Sequence, residues 1–218
     1  IVQNMPGAGS VTAIRYVDAS APKDGTVIGG IVPGVITQSV VTPDKVNVDF
    51  SGLSWVGIAS SDFSRVCYGY GPKGIKSFDD MLNKPSIIGA TGKGAQAFTF
   101  PNAINNVLGT KMKIVLGYKG TGDRLLALER GESMGSCGIN GSTLVSVGER
   151  QIGDGSLVPI VQSGLTPHPA FPNVPLTQSF AKTEEQRAVL ETIFSQMQIA
   201  RVFGAPPGIP ADRAKTLR

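Results

Sequence analysis

The residues of this chain best placed to do chemistry are small ones. Gly92-Lys93-Gly94-Ala95-Gln96-Ala97 fits the pattern G-x-G-x-x-A. It follows a stretch of strand character and opens one of helical character, where a turn of small residues brings backbone close to an anion. Glycines leave room for the anion's oxygens, and N–H groups without partners at a helix start point at it. Thr91 and Gln96 add neutral donors that fix orientation, while Lys93 is expected to face solvent and attract from a distance. A dinucleotide would call for an acidic residue at the end of the next strand. The stretch 113–118 ends instead in Gly117-Tyr118. The expectation is therefore an anion site without a dinucleotide, and the alternative is a tight turn with no ligand. Met5-Pro6-Gly7-Ala8-Gly9-Ser10 is a second Gly loop before a helix. Two such loops suit one anion held between two helix N-termini.

Other chemistry is thinly supplied. Gly131-Glu132-Ser133-Met134-Gly135 matches G-x-S-x-G, with Asp154 and His168 following in the order of a hydrolase triad. A nucleophile elbow needs a strand before the Ser and a helix after it. Here a helix precedes Ser133, and Gly135, Gly138 and Gly141 make a poor helix after it, so a helix C-cap and strand start is the better reading. Asp79-Asp80 and Glu184-Glu185 read as solvated helix starts, because adjacent residues do not face each other on a helix. Two cysteines, Cys67 and Cys137, and one histidine, His168, cannot complete a four-ligand zinc site without carboxylates. Both cysteines are expected to be buried small apolar residues, and the sequence does not show whether they pair. No metal and no cofactor is expected. Without a convincing base, nucleophile or metal cluster, a binding protein outranks an enzyme. An α/β enzyme, a hydrolase using Ser133 or a nucleotide-dependent one, is the alternative.

The elements that must position these residues alternate. Positions 1–4 read as a strand end, Ser10 as an N-cap, and Val11, Ile14 and Val17 as a helix face running to Pro22. A strand over 26–32 closes at Pro33-Gly34. The opening strand–helix–strand is the signature of a parallel sheet with helical crossovers. Further strands are expected over 54–60, 65–71, 86–90, 113–118, 133–137, 157–163 and 201–205. Helices are expected from Ser77-Phe78-Asp79-Asp80, after Gly94 to Leu108, over 120–130 with Gly131 closing it, from Thr183-Glu184-Glu185-Gln186 to about Gln198, and from Pro210. Positions 167–175 hold four prolines and read as an extended surface loop.

Composition narrows the partners. The net charge is +4 with no dense basic run and few aromatics among the basic residues, which disfavours nucleic acid. Basic and acidic residues number four and five over 1–72 but ten and seven over 73–154, a weak positive field that suits an anion site. No apolar run approaches the roughly 20 residues that span a bilayer. The sequence starts at Ile1 with no leader, as a secreted protein would after signal removal, or a trimmed chain.

Short motifs in order complete the reading. Asn4-Met5-Pro6-Gly7-Ala8-Gly9, Ala21-Pro22-Lys23-Asp24-Gly25-Thr26, Gly117-Tyr118-Lys119-Gly120, Phe171-Pro172-Asn173-Val174-Pro175 and Ala205-Pro206-Pro207-Gly208-Ile209-Pro210 run the length of the chain. In sequence and rough spacing they resemble N-R-P-G-A-G, A-P-D-G-Y-T, P-Y-K-G, L-P-D-V-P and A-P-A-G-T-P of the substrate-binding proteins of tripartite tricarboxylate transporters, the Bug or TctC-like family. The resemblance implies a two-lobed α/β periplasmic binding protein of type II, a Venus flytrap with a hinge and a ligand cleft between lobes. One lobe would comprise 1–72 with 198–218, and the other 73–197. It implies a monomeric periplasmic protein that captures a di- or tricarboxylate or related acid and meets membrane subunits of a transporter. A ligand sensor with the same lobes is a further alternative. Carried over by position, the grip comprises Thr91, Gly92, Gly94, Ala95 and Gln96 from one lobe and Gly7, Gly9, Pro33 and Gly34 from the other. Cys137-Gly138-Ile139-Asn140 falls where the family often has Asp-Asn near the pocket, and Gly138 departs from that Asp. The family's N-terminal strand, Gly-rich loop and helix precede the point where this sequence starts, and the sequence stops inside a family helix, so a truncated chain is expected.

Overall fold

The computed structural model describes residues 1–5, 10–59, 63–199 and 201–218. The chain folds as two compact units, Ile1–Ser61 with Ile199–Arg218 and Asp62–Gln198. The sequence-based division lies at 72–73, eleven residues later than the junction at 61–62. The difference comes from one strand, over 64–70, which hydrogen-bonds on both sides to strands of the second unit.

In the first unit, α1 (Val11–Arg15) runs into a π turn, Tyr16–Ser20. Strands β1 (Gly29–Ile31), β2 (Ser54–Ile58) and β8 (Val202–Ala205) form a sheet in the order β1-β8-β2, both outer strands antiparallel to β8. The expected parallel pairing at the start of the chain is therefore replaced by pairing with a strand from its end. Val11, Ile14 and Val17 pack with Ile31, Val35, Val46, Leu53 and Val202 as the core. Burial of each such side chain stabilises by roughly 1.5–3 kcal/mol. A Cβ on Gly29 would lie 2.7 Å from Val17 Cγ2, so glycine lets the helix settle on the strand. Several expectations fail here. Residues 1–4 form no strand. Ser10 stands at the N-cap with φ 82° and makes no side-chain cap. Pro33-Gly34 does not end a strand but begins α2 (Pro33–Val41), because proline's fixed φ suits a first helical turn. A short helix, α3 (Pro43–Val46), follows, and Arg15 donates to the carbonyls of Val46 (2.9 Å) and Lys45 (3.1 Å) at its C-terminus.

The second unit is built on a five-stranded sheet in the order β5-β4-β6-β3-β7. β3 (Ser64–Tyr70) pairs antiparallel with β6 (Gly135–Asn140) and β7 (Leu157–Gly164). β4 (Ser86–Gly89) pairs parallel with β5 (Met112–Val115) and β6. Side chains alternate between faces along β3, whereas β6 carries a register shift between Ser136 and Ile139, around Gly138, so Cys137 and Ile139 face opposite cores although they are two residues apart. Cys67, Ile88 and Cys137 pack with α4 (Phe78–Asn83), α5 (Gln96–Leu108) and α8 (Glu184–Phe194) through Phe78, Met81, Phe100, Ile104, Leu190 and Phe194. Val66, Tyr68 and Ile139 pack on the other face with α6 (Thr121–Glu129) and α7 (Gly141–Gly153) through Leu125, Leu128 and Leu144. Helix α7 was missed in the sequence because it opens on glycine, and its N-cap residue Asn140 makes no side-chain cap hydrogen bond. A C-terminal helix, α9 (Ala211–Leu217), starts one residue after Pro210, which is its N-cap rather than its first residue. Among the described residues, no helix is long and apolar enough to cross a membrane.

Candidate functional site

The candidate site lies where β4 ends and α5 begins. Ala90 continues the β4–β5 pairing by donating its N–H to Val115 O at 2.8 Å, and Tyr118 N–H returns to Ala90 O at 3.4 Å. The chain then turns through 91–95, closed by Ala95 N–H to Gly92 O at 3.0 Å. Ala95 is the N-cap of α5, with extended backbone and no side-chain cap. The first bonds into the helix come from Phe98 and Thr99, both to Ala95 O. Helix geometry leaves the N–H groups of Gln96 and Ala97 without an intrahelical acceptor. Thr91 and Gly92 are half-buried, Lys93 and Gly94 are exposed, and Gln96 and Ala97 are buried.

Gly138 presses on this helix start. It sits in β6 with φ +73°, and a Cβ there would come within 2.5 Å of Ala97 N and 2.7 Å of Ala97 Cα. Only glycine adopts this φ at little cost and admits such an approach. The glycine that stands in place of an expected Asp is thus a packing requirement of the strand–helix contact. Its neighbour Cys137 is disulfide-bonded to Cys67, joining β6 to β3 across 70 residues of sequence. Both cysteines are buried, as expected. Gly92 behaves differently. Its φ lies outside the left-handed region, and a Cβ on it would meet nothing within 4 Å. Nothing in the surrounding protein therefore requires its small size; an approaching group would.

Two buried cations flank the site, and sequence reasoning missed both. Arg65 on β3 is 4% exposed and donates Nε to Gln96 Oε1 at 2.8 Å. Arg124 on α6 is 5% exposed. It donates to Ser136 Oγ (2.8 Å), to the Cys137 carbonyl (2.9 Å) and to Thr121 Oγ1 (3.1 Å), while Ser136 Oγ donates to Gly89 O at 3.1 Å. Its Nε has no partner, and no carboxylate neutralises it among the described residues. Burial lowers its pKa, and burial raises that of the neighbouring Tyr68 phenol. The available signal for each was a charge inside an apolar pattern: Arg65 within Ser64–Tyr70, and Arg124 on the helix face of Leu125 and Leu128.

The structure brings Thr91, Gly92, Gly94, Ala95, Gln96, Cys137 and Gly138 to one end of the second unit's sheet. Pro33 and Gly34 belong to the first unit, in the first turn of α2. Gly7 and Gly9 lie outside the described residues. Ser133 is buried in the turn between α6 and β6, and its Oγ has no hydrogen-bond partner among the described residues. Among the described residues no base stands within hydrogen-bond reach of it, as an activated nucleophile would need. Asp154 closes α7 and accepts the Ser156 N–H, while His168 packs its ring against Gly141 and accepts the Ala170 N–H on Nδ1. Among the described residues no group of three or more His, Cys, Asp or Glu gathers to hold a metal.

The fold of this chain is shared with solved structures of periplasmic binding proteins, BugD and a TctC solute-binding protein among them. The structure of the periplasmic binding protein BugD matches all of this chain with a TM-score of 0.65 and 18% identity, over 69% of its own length. MatC of Rhodopseudomonas palustris, solved with bound malate, matches at 0.67 and 19%, again over all of this chain and 70% of its own. A second R. palustris protein, solved with adipate, matches at 0.63 and 16%, with 100% and 69% covered. At these identities the likeness is one of fold. No family model matches the sequence, and no curated protein does.

Proposed function

We propose that this chain is a periplasmic solute-binding protein that captures a small organic carboxylate for a transporter of the tripartite tricarboxylate type. The observation that carries the proposal is the start of α5. A 13-residue helix opens at a turn of small residues with two N–H groups free of intrahelical acceptors, one buried arginine bonds the side chain of its first residue, and another bonds the carbonyl of Cys137 next to Gly138. Such a start favours a carboxylate by about 0.3–1 kcal/mol when exposed and up to ~2 when partly buried. The ligands of the fold neighbours, malate and adipate, are acids of this kind. The disulfide supports an oxidising compartment, where such bonds persist. In this reading Thr91, Gly92, Gly94 and Ala95 receive the carboxylate, and the protein works as a monomer that presents its ligand to membrane subunits.

Calorimetry against malate, adipate, succinate and citrate tests the proposal, with thermal unfolding alongside. An acid at 100 times its Kd should add about 2.7 kcal/mol of stability without turnover. Gly92→Val is the decisive variant, because its Cβ meets no protein atom within 4 Å. It should keep wild-type stability and lose most binding, and Gly94→Val should also bind poorly. Lys93→Ala should weaken binding mildly, mostly at low salt. Equal and small effects of the three changes would remove the turn from the site. Ester hydrolysis abolished by Ser133→Ala would overturn the binding reading altogether. Two membrane-subunit genes beside this one would favour transport over sensing.

A further inference from the structure

Gln96 carries more structure than a ligand donor should. It is 8% exposed, and both ends of its carboxamide are engaged. Arg65 can only donate, so the Gln96 oxygen must face it, and Oε1 accepts Arg65 Nε at 2.8 Å. The amide nitrogen then points the other way. It donates to Gln196 Oε1 at 3.3 Å and to the Met197 sulfur at 3.2 Å, which uses both of its protons. Gln196 is oriented in turn, and its nitrogen donates to Ile193 O at 2.8 Å at the end of α8. One guanidinium thus fixes the direction of every amide in a buried chain, Arg65 to Gln96 to Gln196 to Ile193.

The ends of that chain lie close to the junctions of the two units. The polypeptide passes between units at 61–62 and again at 198–199. Arg65 stands on β3 a few residues after the first passage. Gln196 and Met197 stand in the 3-10 turn Ser195–Ile199 at the second. In the middle is the first residue of α5, whose backbone N–H is one of the two offered at the helix start. Its side chain bonds Arg65 at one end and Gln196 and Met197 at the other, a residue near each passage.

We propose that Gln96 is a positioning residue, and that the relay Arg65–Gln96–Gln196 transmits occupancy of the 91–96 turn to both stretches of chain that connect the units. This rests on the carboxylate-binding reading above, and it corrects the expectation that the Gln96 side chain touches the ligand. Its thermodynamic content is a coupling between residues that do and do not border the turn.

A double-mutant cycle on the whole chain tests it, with Gln96→Leu, Gln196→Leu and the pair. Malate and adipate binding are read by calorimetry, and amide exchange is read over 63–67 and 195–199. Gln196→Leu, outside the turn, should weaken binding about tenfold, Gln96→Leu by a similar factor, and the pair no further than either alone. In the wild type, ligand should slow exchange in both segments, and in either variant it should not. Gln96→Glu keeps an acceptor for Arg65 and loses the donor to Gln196. Without ligand it should loosen 195–199 and leave 63–67 protected, whereas Gln96→Leu should loosen both. Wild-type affinity in Gln196→Leu, or effects that multiply in the pair, would overturn the relay. If the wild type binds neither acid, the carboxylate reading fails for them, and the ligand-free exchange still decides: unchanged protection of either segment in Gln96→Leu overturns the relay.

Discussion

At the scale of single residues, the glycines divide by the reason for their smallness. Gly138 is required by the protein itself, because it combines φ +73° with the backbone of Ala97 pressed against it. Gly138→Ala should cost about 2–4 kcal/mol in urea unfolding, from the left-handed strain and the forced shift of the helix start. Gly92 carries no such cost, which is why loss of binding in its variants would report on the ligand. Arg124 poses the opposite problem, a buried charge whose partners among the described residues are neutral. Desolvation penalises that charge, and three hydrogen bonds offset part of the penalty. Arg124→Met should therefore change folding stability by less than about 1 kcal/mol, yet weaken anion binding severalfold, which denaturant titration and calorimetry together would separate. A large loss of stability with unaltered affinity would make the arginine a purely structural clasp.

At the scale of elements, local chemistry decides how cleanly each begins. Ser77 and Asp80 form a complete capping box at α4, with Ser77 Oγ accepting from Asp80 N–H at 3.1 Å and Asp80 Oδ2 accepting from Ser77 N–H at 3.0 Å. Lys84, 2.6 Å from the carboxylate, is the largest influence holding Asp80 well below the usual carboxylate range, followed by the Lys76 N–H. A depressed carboxyl contributes stability that is fully present above its unfolded value of about 4 and is lost as pH falls through the folded value. NMR titration should therefore find Asp80 still ionised at pH 3 and α4 intact there, and Lys84→Ala should move its midpoint upward. Thr183 caps α8 as expected, but Gln186 reaches past the N-cap to the Lys182 N–H, so the reciprocal half of the expected box is displaced by one residue. The Pro-rich loop owes its form to one side chain. Gln162 is fully buried, donates to the carbonyls of Phe171 (2.8 Å) and Val174 (2.7 Å), and accepts from His168 N–H at 2.7 Å. Gln162→Leu strands those groups and should cost about 3 kcal/mol, with faster proteolysis between 165 and 175.

At the scale of the whole molecule, the disulfide fixes two strands that the chain visits 70 residues apart. Removing it by Cys67→Ala with Cys137→Ala should lower stability by about 2–4 kcal/mol, since the unfolded chain regains the entropy of a long closed loop. The same pair of changes relaxes the strand that presses on α5, so carboxylate affinity should fall with it. Intact stability in the reduced protein would mean that the sheet alone sets the register of β3 and β6. Helix and strand types were largely legible in the sequence, because apolar periodicity and caps are local: β2, β3, β4, β7 and β8, and the helices after Ser77, Gly94, Gly120 and Thr183, lie within a few residues of expectation. The misses include helices α2, α3 and α7, which open on Pro-Gly, Pro-Asp and Gly, residues that read as turns when only neighbours are visible, and the strand expected over 1–4, which does not form.

The sequence by itself determined the alternation of elements, the turn of small residues at 91–96 and the absence of any apolar run long enough to cross a bilayer, since propensity, glycine placement and hydropathy act over a few residues. It also carried ordered motifs that pointed to the fold. Only the tertiary structure decided which strands are neighbours, and with them everything that depends on distance across the sheet. The antiparallel pairing of β1 with β8, the bond between Cys67 and Cys137, the pressure of Gly138 on α5 and the burial of Arg65 and Arg124 all join residues many positions apart. Sheet order is set by the summed burial of both faces and not by any local signal. For the same reason Gln96, which local pattern marks as a ligand donor, has its side chain claimed by three residues that only the folded chain brings to it.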